Sequence, residues 1–85
     1  MPQSYTPRDA GFLLANAMLA RRKLLRLTQA EVARRCGQKV DWYGLRERCG
    51  RKILAVDLLA VAAALECSPG ALLAHLVPAE ERATP

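Results

Sequence analysis

Residues 27–37, LTQAEVARRCG, narrow most sharply what this chain can fold into. Thr28 and Glu31 stand three apart, the spacing of a capping box. The threonine hydroxyl accepts the Glu31 amide while the Glu31 carboxylate accepts the Thr28 amide. Val32, Ala33 and Cys36 then share one helical face. Gly37 stands where a helix stops, because glycine enters the left-handed region at little cost. The result is a helix of roughly two and a half turns, too short to persist alone in water. Such a segment needs neighbours to clamp it, and its neighbours on both sides are basic.

The chain has 85 residues, enough for one domain with one modest core. With only four aromatic residues, that core must be built from Leu, Val and Ala, which favours small helices packed closely. The formal charge of +5 is unevenly placed. Between Arg21 and Lys52 eleven lysines and arginines face three acids, Glu31, Asp41 and Glu47; the rest of the chain holds two against five. A basic middle suits a polyanion-facing surface, although a solvated basic face explains the composition equally well. Three cysteines without close pairing argue against a disulfide scaffold and for a reducing cytoplasm. Gly11–Ala20 is apolar, but Arg21-Arg22-Lys23 follow it, the reverse of a signal-peptide layout. No membrane span is expected, since Asp57 breaks the best apolar run.

Taken in order, residues 1–5 read as a loose start, residues 6–77 as the domain and residues 78–85 as a short polar tail. Thr6-Pro7-Arg8-Asp9 gives a cap, a first-turn proline and an acid, opening a long helix that runs to Leu25. Its apolar residues form two stripes, Leu14, Met18 and Leu25 on one and Phe12, Ala15 and Leu19 on the other. After the capped helix, the spacing of Trp42, Leu45 and Cys49 predicts a third helix over about Val40–Arg48 with those residues on its buried side. Gly44 inside it costs roughly 1 kcal/mol relative to alanine, so it marks a close backbone approach or a distortion. Leu58, Val61, Ala62 and Leu65 define a fourth helix over about 54–65. Ser68-Pro69 caps a fifth carrying Leu72, Leu73, Leu76 and Val77, which Pro78 stops. The expectation is an all-α, compact five-helix domain whose second and third helices, joined by a tight glycine turn, make a helix-turn-helix.

Arg21–Gly37, RRKLLRLTQAEVARRCG, resembles the lambda-repressor-like, Cro-type (XRE-type) helix-turn-helix family, whose first helices meet as R-R-x-x-x-G-L-T-Q-x-E-L-A-x-x-x-G. Glu47-Arg48, then Leu58-Leu59, Val61-Ala62 and Ala64-Leu65, then Ser68 and Leu72-Leu73 resemble its later pattern at matching distances. The likeness spans roughly residues 14–73, and its first part is the more specific.

That resemblance implies a duplex-DNA-binding regulator, cytoplasmic and nucleoid-associated, with no cofactor. The second helix, opened by Thr28 and Gln29, would cross the DNA backbone, Gln29 bonding a phosphate oxygen. The third would enter the major groove. Its first turn brings Lys39, Val40 and Asp41, with Tyr43 and Gly44 further on. Lysine donates to guanine, aspartate accepts from cytosine and valine touches a thymine methyl. Arg48, Arg51 and Lys52 fall where the family's following loop meets the backbone. The chain departs from the pattern at Arg26, which replaces the usual glycine and is expected to adopt a left-handed conformation. It also departs in the third helix, where ungapped alignment puts Tyr43 and Arg46 on the two apolar positions. Burying Arg46 unpaired would cost several kcal/mol. A one-residue shift is therefore preferred, with Trp42 and Leu45 inside and Arg46 among the DNA-facing residues.

The same residues suit other roles as well. Trp42-Tyr43 is a stacking platform or, better, one core plug. Arg22 suits an ion pair with Glu31 or Glu47 better than a phosphate contact. Cys36, Cys49, Cys67 and His75 have long, uneven gaps and no C-x-x-C pair, so thiols in the core are favoured over a metal site. Asp41 and Glu47 lack a histidine or nucleophile nearby, and no enzyme is expected. A homodimer on an inverted repeat is the expected assembly. Two readings stand beside repression: a protein–protein interaction module (an adaptor or antitoxin-like partner) and an architectural or recombination factor.

Overall fold

The computed structural model describes residues 7–49 and 53–76. They form five helices, α1 Pro7–Leu24, α2 Gln29–Arg35, α3 Val40–Arg48, α4 Ala55–Ala64 and α5 Pro69–Leu73, the last running into a single 3-10 turn, Ala74–Leu76. No strand occurs among the described residues, and none of these helices is long and apolar enough to cross a membrane. The loose start over 1–5, the Thr6 cap, the tail over 78–85 and the side chain of His75 lie outside the described residues.

The starts of α2 and α5 follow the expected chemistry, and α4 adds a cap of its own. At α2 the Thr28 hydroxyl accepts the Glu31 amide at 3.1 Å and the Glu31 carboxylate accepts the Thr28 amide at 3.1 Å. At α4 the Leu54 amide donates to Asp57 at 3.2 Å, and at α5 the Ser68 hydroxyl accepts the Ala71 amide at 3.1 Å. Each closes an amide that the first turn leaves without a partner.

Three helices end in the same way. After α1 the Leu27 amide donates to Arg22 and the Arg26 amide to Lys23; after α2 Gln38 donates to Ala33 and Gly37 to Arg34; after α4 Cys67 donates to Ala62 and Glu66 to Ala63. This double closure needs a left-handed residue just past the helix. Arg26 sits at φ 58, Gly37 at φ 69 and Glu66 at φ 59. A side chain in that region costs about 1 kcal/mol or more. Arg26 is exposed, so Arg26→Gly should relieve the strain with little lost packing. We expect a stabilisation of roughly 0.5–1 kcal/mol and a melting temperature higher by a few degrees in thermal denaturation.

The core gathers Leu14, Ala17 and Met18 of α1, Val32 and Ala33 of α2, Tyr43 of α3, Val61 and Ala62 of α4, Leu65 and Leu72. Met18, Val32, Tyr43, Val61 and Leu65 have no exposed surface, and Tyr43 is the largest of them. The two stripes read on α1 part company: Leu14 and Met18 are buried, as is Ala15, whereas Phe12 is 63% exposed. The expected buried side of α4 is present, but its other side is equally apolar and leaves Val56, Leu59, Ala60 and Ala63 exposed.

The shifted register of α3 is wrong, although its bounds are right. Tyr43 points into the core, Leu45 points out with 40% of its surface exposed, and Trp42 is half-buried. Burial of Arg46 was the objection to the ungapped register, and its partners remove that objection. Its guanidinium lies over the Trp42 ring, 4.0 Å from the centroid, donates to the Trp42 carbonyl at 3.0 Å and pairs with Asp57 at 3.5 Å. Stacking and ion pairing together let an arginine occupy a position where an apolar side chain was expected.

Candidate nucleic-acid interface

The joint between α2 and α3 is built from charge as well as apolar contact. Arg22, in the last turn of α1, clasps Glu47 of α3 with two bonds of 2.8 Å and sends a third, of 2.9 Å, to the Leu27 carbonyl. Parallel bonds between guanidinium and carboxylate are the strongest form of such a pair. Gln29, the first residue of α2, donates its amide to the same carboxylate at 3.0 Å. Glu47 therefore ties the end of α1 and the start of α2 to the last turn of α3. Burial pushes its carboxyl up, the bonds from Arg22 and Gln29 outweigh that, and the net shift is below the ordinary range. The anticipated pairing of Arg22 with an acid is thus made, with Glu47.

Gly44 explains how close the helices come. A methyl group added there would meet the Gln29 amide oxygen at 3.3 Å, so α3 presents bare backbone to that side chain. The close approach, rather than a distortion, is the reason for a glycine mid-helix. Beside it, the Tyr43 hydroxyl is buried near Glu47 and Arg22 without a hydrogen bond of good geometry. Burial first, and the adjacent carboxylate second, hold this phenol protonated far above its usual range.

Three of the proposed DNA contacts are corrected by this arrangement. Tyr43 has no exposed surface, Gly44 is buried beneath Gln29, and Arg46 is turned onto Trp42 and Asp57. None of them faces outward. Thr28, Lys39, Val40, Asp41 and Arg48 are exposed, and Gln29 is half-buried at the α2–α3 joint. Arg51 and Lys52 lie outside the described residues. The outward side of α3 is a stripe of Asp41, Leu45 and Arg48, at i, i+4 and i+7, with Lys39 and Val40 at its start. Leu45 was missed as an outward residue. The spacing that would have revealed it is that of Tyr43 and Glu47, which share the opposite face.

Not every basic residue of the middle stretch is available to a partner. Arg21 donates to the carbonyls of Leu65 and Glu66 at 2.8 Å each, and Arg35 to the Ala64 carbonyl and the Glu66 carboxylate at 2.9 Å each. Both bind the carbonyl end of α4, where positive charge is favoured. With Arg22 and Arg46 they make four cations spent on internal contacts. Lys23, Arg26, Arg34, Lys39 and Arg48 stand exposed. Cys36 and Cys67 are half-buried against the core, and the Cys36 thiol is pushed up, first by burial and then by Asp57.

The described residues thus define an all-α domain with two short helices joined by a four-residue turn, 36–39, and locked by a shared carboxylate. A crystal structure of a hypothetical transcription factor, NHTF, from Neisseria is similar to it, with a TM-score of 0.72 over 96% of this chain and 93% of that one, at 28% sequence identity. The fold is one that a transcription factor of that description uses. No protein-family model and no curated protein matches the chain.

Proposed function

We propose that this protein binds duplex DNA sequence-specifically as a small transcriptional regulator of the Cro-type kind, acting by repression, with α3 in the major groove. One observation carries the reading. The outward stripe of α3 begins with the exposed donor, apolar and acceptor side chains Lys39, Val40 and Asp41, on a fold similar to that of a hypothetical transcription factor. These are the three chemistries a major-groove edge can distinguish. Thr28 supports it as well: its hydroxyl accepts the Glu31 amide and keeps its own hydrogen for a phosphate oxygen. Arg48 follows on the same side of α3, and Arg51 and Lys52 continue the basic run in the sequence. No catalytic role is assigned.

A single α3 reads too few bases for high specificity, so the protein acts as a symmetric dimer on an inverted repeat. The apolar surfaces left exposed on α1 and α4 (Phe12, Leu24, Val56 and Leu59) favour self-association. They equally suit a protein partner, which keeps the interaction-module reading as the second one.

Selection from a random duplex pool at moderate salt, followed by sequencing, tests the proposal. Enrichment of an inverted repeat is the expected result. Failure to enrich any sequence, with binding only at low salt, would leave a non-specific polyanion surface and favour the interaction module. In the same assay Arg48→Ala should weaken binding to all duplexes and reduce the slope against log salt by about one. Asp41→Ala should instead relax preference at one base pair without weakening non-specific affinity. An Arg48→Ala protein whose salt slope matches the wild type's has its backbone contact elsewhere.

A further inference from the structure

We infer that Gly44 and Glu47 of α3 are positioning residues for Gln29 of α2: together they fix the pose of its amide, so that one N–H alone is offered to a DNA phosphate. The inference rests on the DNA-binding reading above and goes beyond it. It makes the backbone contact of one helix depend on inward-facing residues of the other.

The chemistry leaves the amide little choice. An ionised carboxylate only accepts hydrogen bonds, so the Gln29 nitrogen, not its oxygen, must face Glu47. That bond is 3.0 Å long, and its acceptor, Oε1, is also held by Arg22 at 2.8 Å. The acceptor is therefore itself immobilised, with only 4% of the Glu47 side chain exposed. With the nitrogen fixed, the carbonyl oxygen points to α3, where it rests over Gly44. A methyl group there would stand 3.3 Å from that oxygen and 4.0 Å from the amide carbon, too close without displacement. The usual freedom of a glutamine amide to exchange its two ends is removed from both sides. One amide hydrogen is committed inward and one remains. A surface glutamine would lose side-chain entropy on gripping a phosphate, and here that ordering is already done in the free protein.

The test is a double-mutant cycle on Gly44→Ala and Gln29→Ala, read by duplex affinity, thermal melting and the NMR signals of the Gln29 side-chain amide. Gly44→Ala should move the amide, shift its NH2 resonances and weaken binding about tenfold for all sequences alike. The salt slope should not change, because a neutral amide displaces no counterion. In the Gln29→Ala background the same substitution should leave affinity unchanged. It should raise the melting temperature there, since the amide is gone and alanine is the better helix former. An equal loss of affinity in both backgrounds, or a folded Gly44→Ala protein that binds as the wild type does, overturns the inference while leaving DNA binding intact. If the wild type binds no duplex at all, the functional reading fails and the inference fails with it.

Discussion

Tyr43→Ala is expected to remove about half of the protein's folding stability. Tyr43 is the largest side chain without exposed surface, and it touches the core that α1, α2 and α4 share. Removing a buried aromatic ring costs about 3–5 kcal/mol, against a total stability on the order of 5–10 kcal/mol for a chain of this size. Tyr43→Phe separates the ring from its hydroxyl. The hydroxyl is buried without a well-formed hydrogen bond, so its removal recovers a desolvation penalty of about 1 kcal/mol. Urea denaturation followed by circular dichroism should place Tyr43→Phe at or above the wild-type midpoint. A phenylalanine variant as damaged as the alanine one would mean that the hydroxyl makes a bond to Glu47 or Arg22 after all.

Glu47→Ala should come second in effect, at about 3–5 kcal/mol. It strands the Arg22 guanidinium, which is only 14% exposed, with a single carbonyl for a partner. Because the damage is the stranded charge, Arg22→Ala in the same chain should add much less than it costs alone. Acidification probes the same carboxylate. Its pKa in the folded protein lies below the ordinary 4.5, so the unfolded chain takes up the proton first. The stability it contributes is complete above the ordinary value and is lost as pH falls through the folded one. Glu31 is lowered as well, chiefly by the Thr28 amide, and acts in the same direction. The share due to Glu47 is therefore the part of the acid slope that Glu47→Gln removes. An unchanged slope in that variant would show that Glu47 is not the responsible group.

What could be read in advance divides by the distance between partners. The α2 cap was legible because Thr28 and Glu31 are three residues apart, and the left-handed Arg26 because it replaces the glycine of the family that this stretch resembles. The ends of α1, α3 and α4 followed from local spacing. Legibility ended where a polar side chain found its partner far along the chain. Arg46 looked unburiable because Asp57 is eleven residues on, and that judgement turned the whole of α3 by one position. Arg21 and Arg35 counted towards a polyanion surface because the carbonyls they hold, at residues 64–66, are remote in sequence. Gly44 announced only that something came close. That Gln29 is the neighbour depends on how α2 crosses α3, which no periodicity encodes.

If α3 reads DNA as proposed, the division of labour along it bears on how such a protein would change its target. Residues 43, 44 and 47 are committed to the joint, while 39–41, 45 and 48 touch nothing the core depends on. The second group behaves as an exchangeable cassette on a fixed chassis. Lysine, valine, aspartate, leucine and arginine at those places could then be recoded together without re-evolving the fold, whereas a single change at the joint disturbs the packing that every such variant shares.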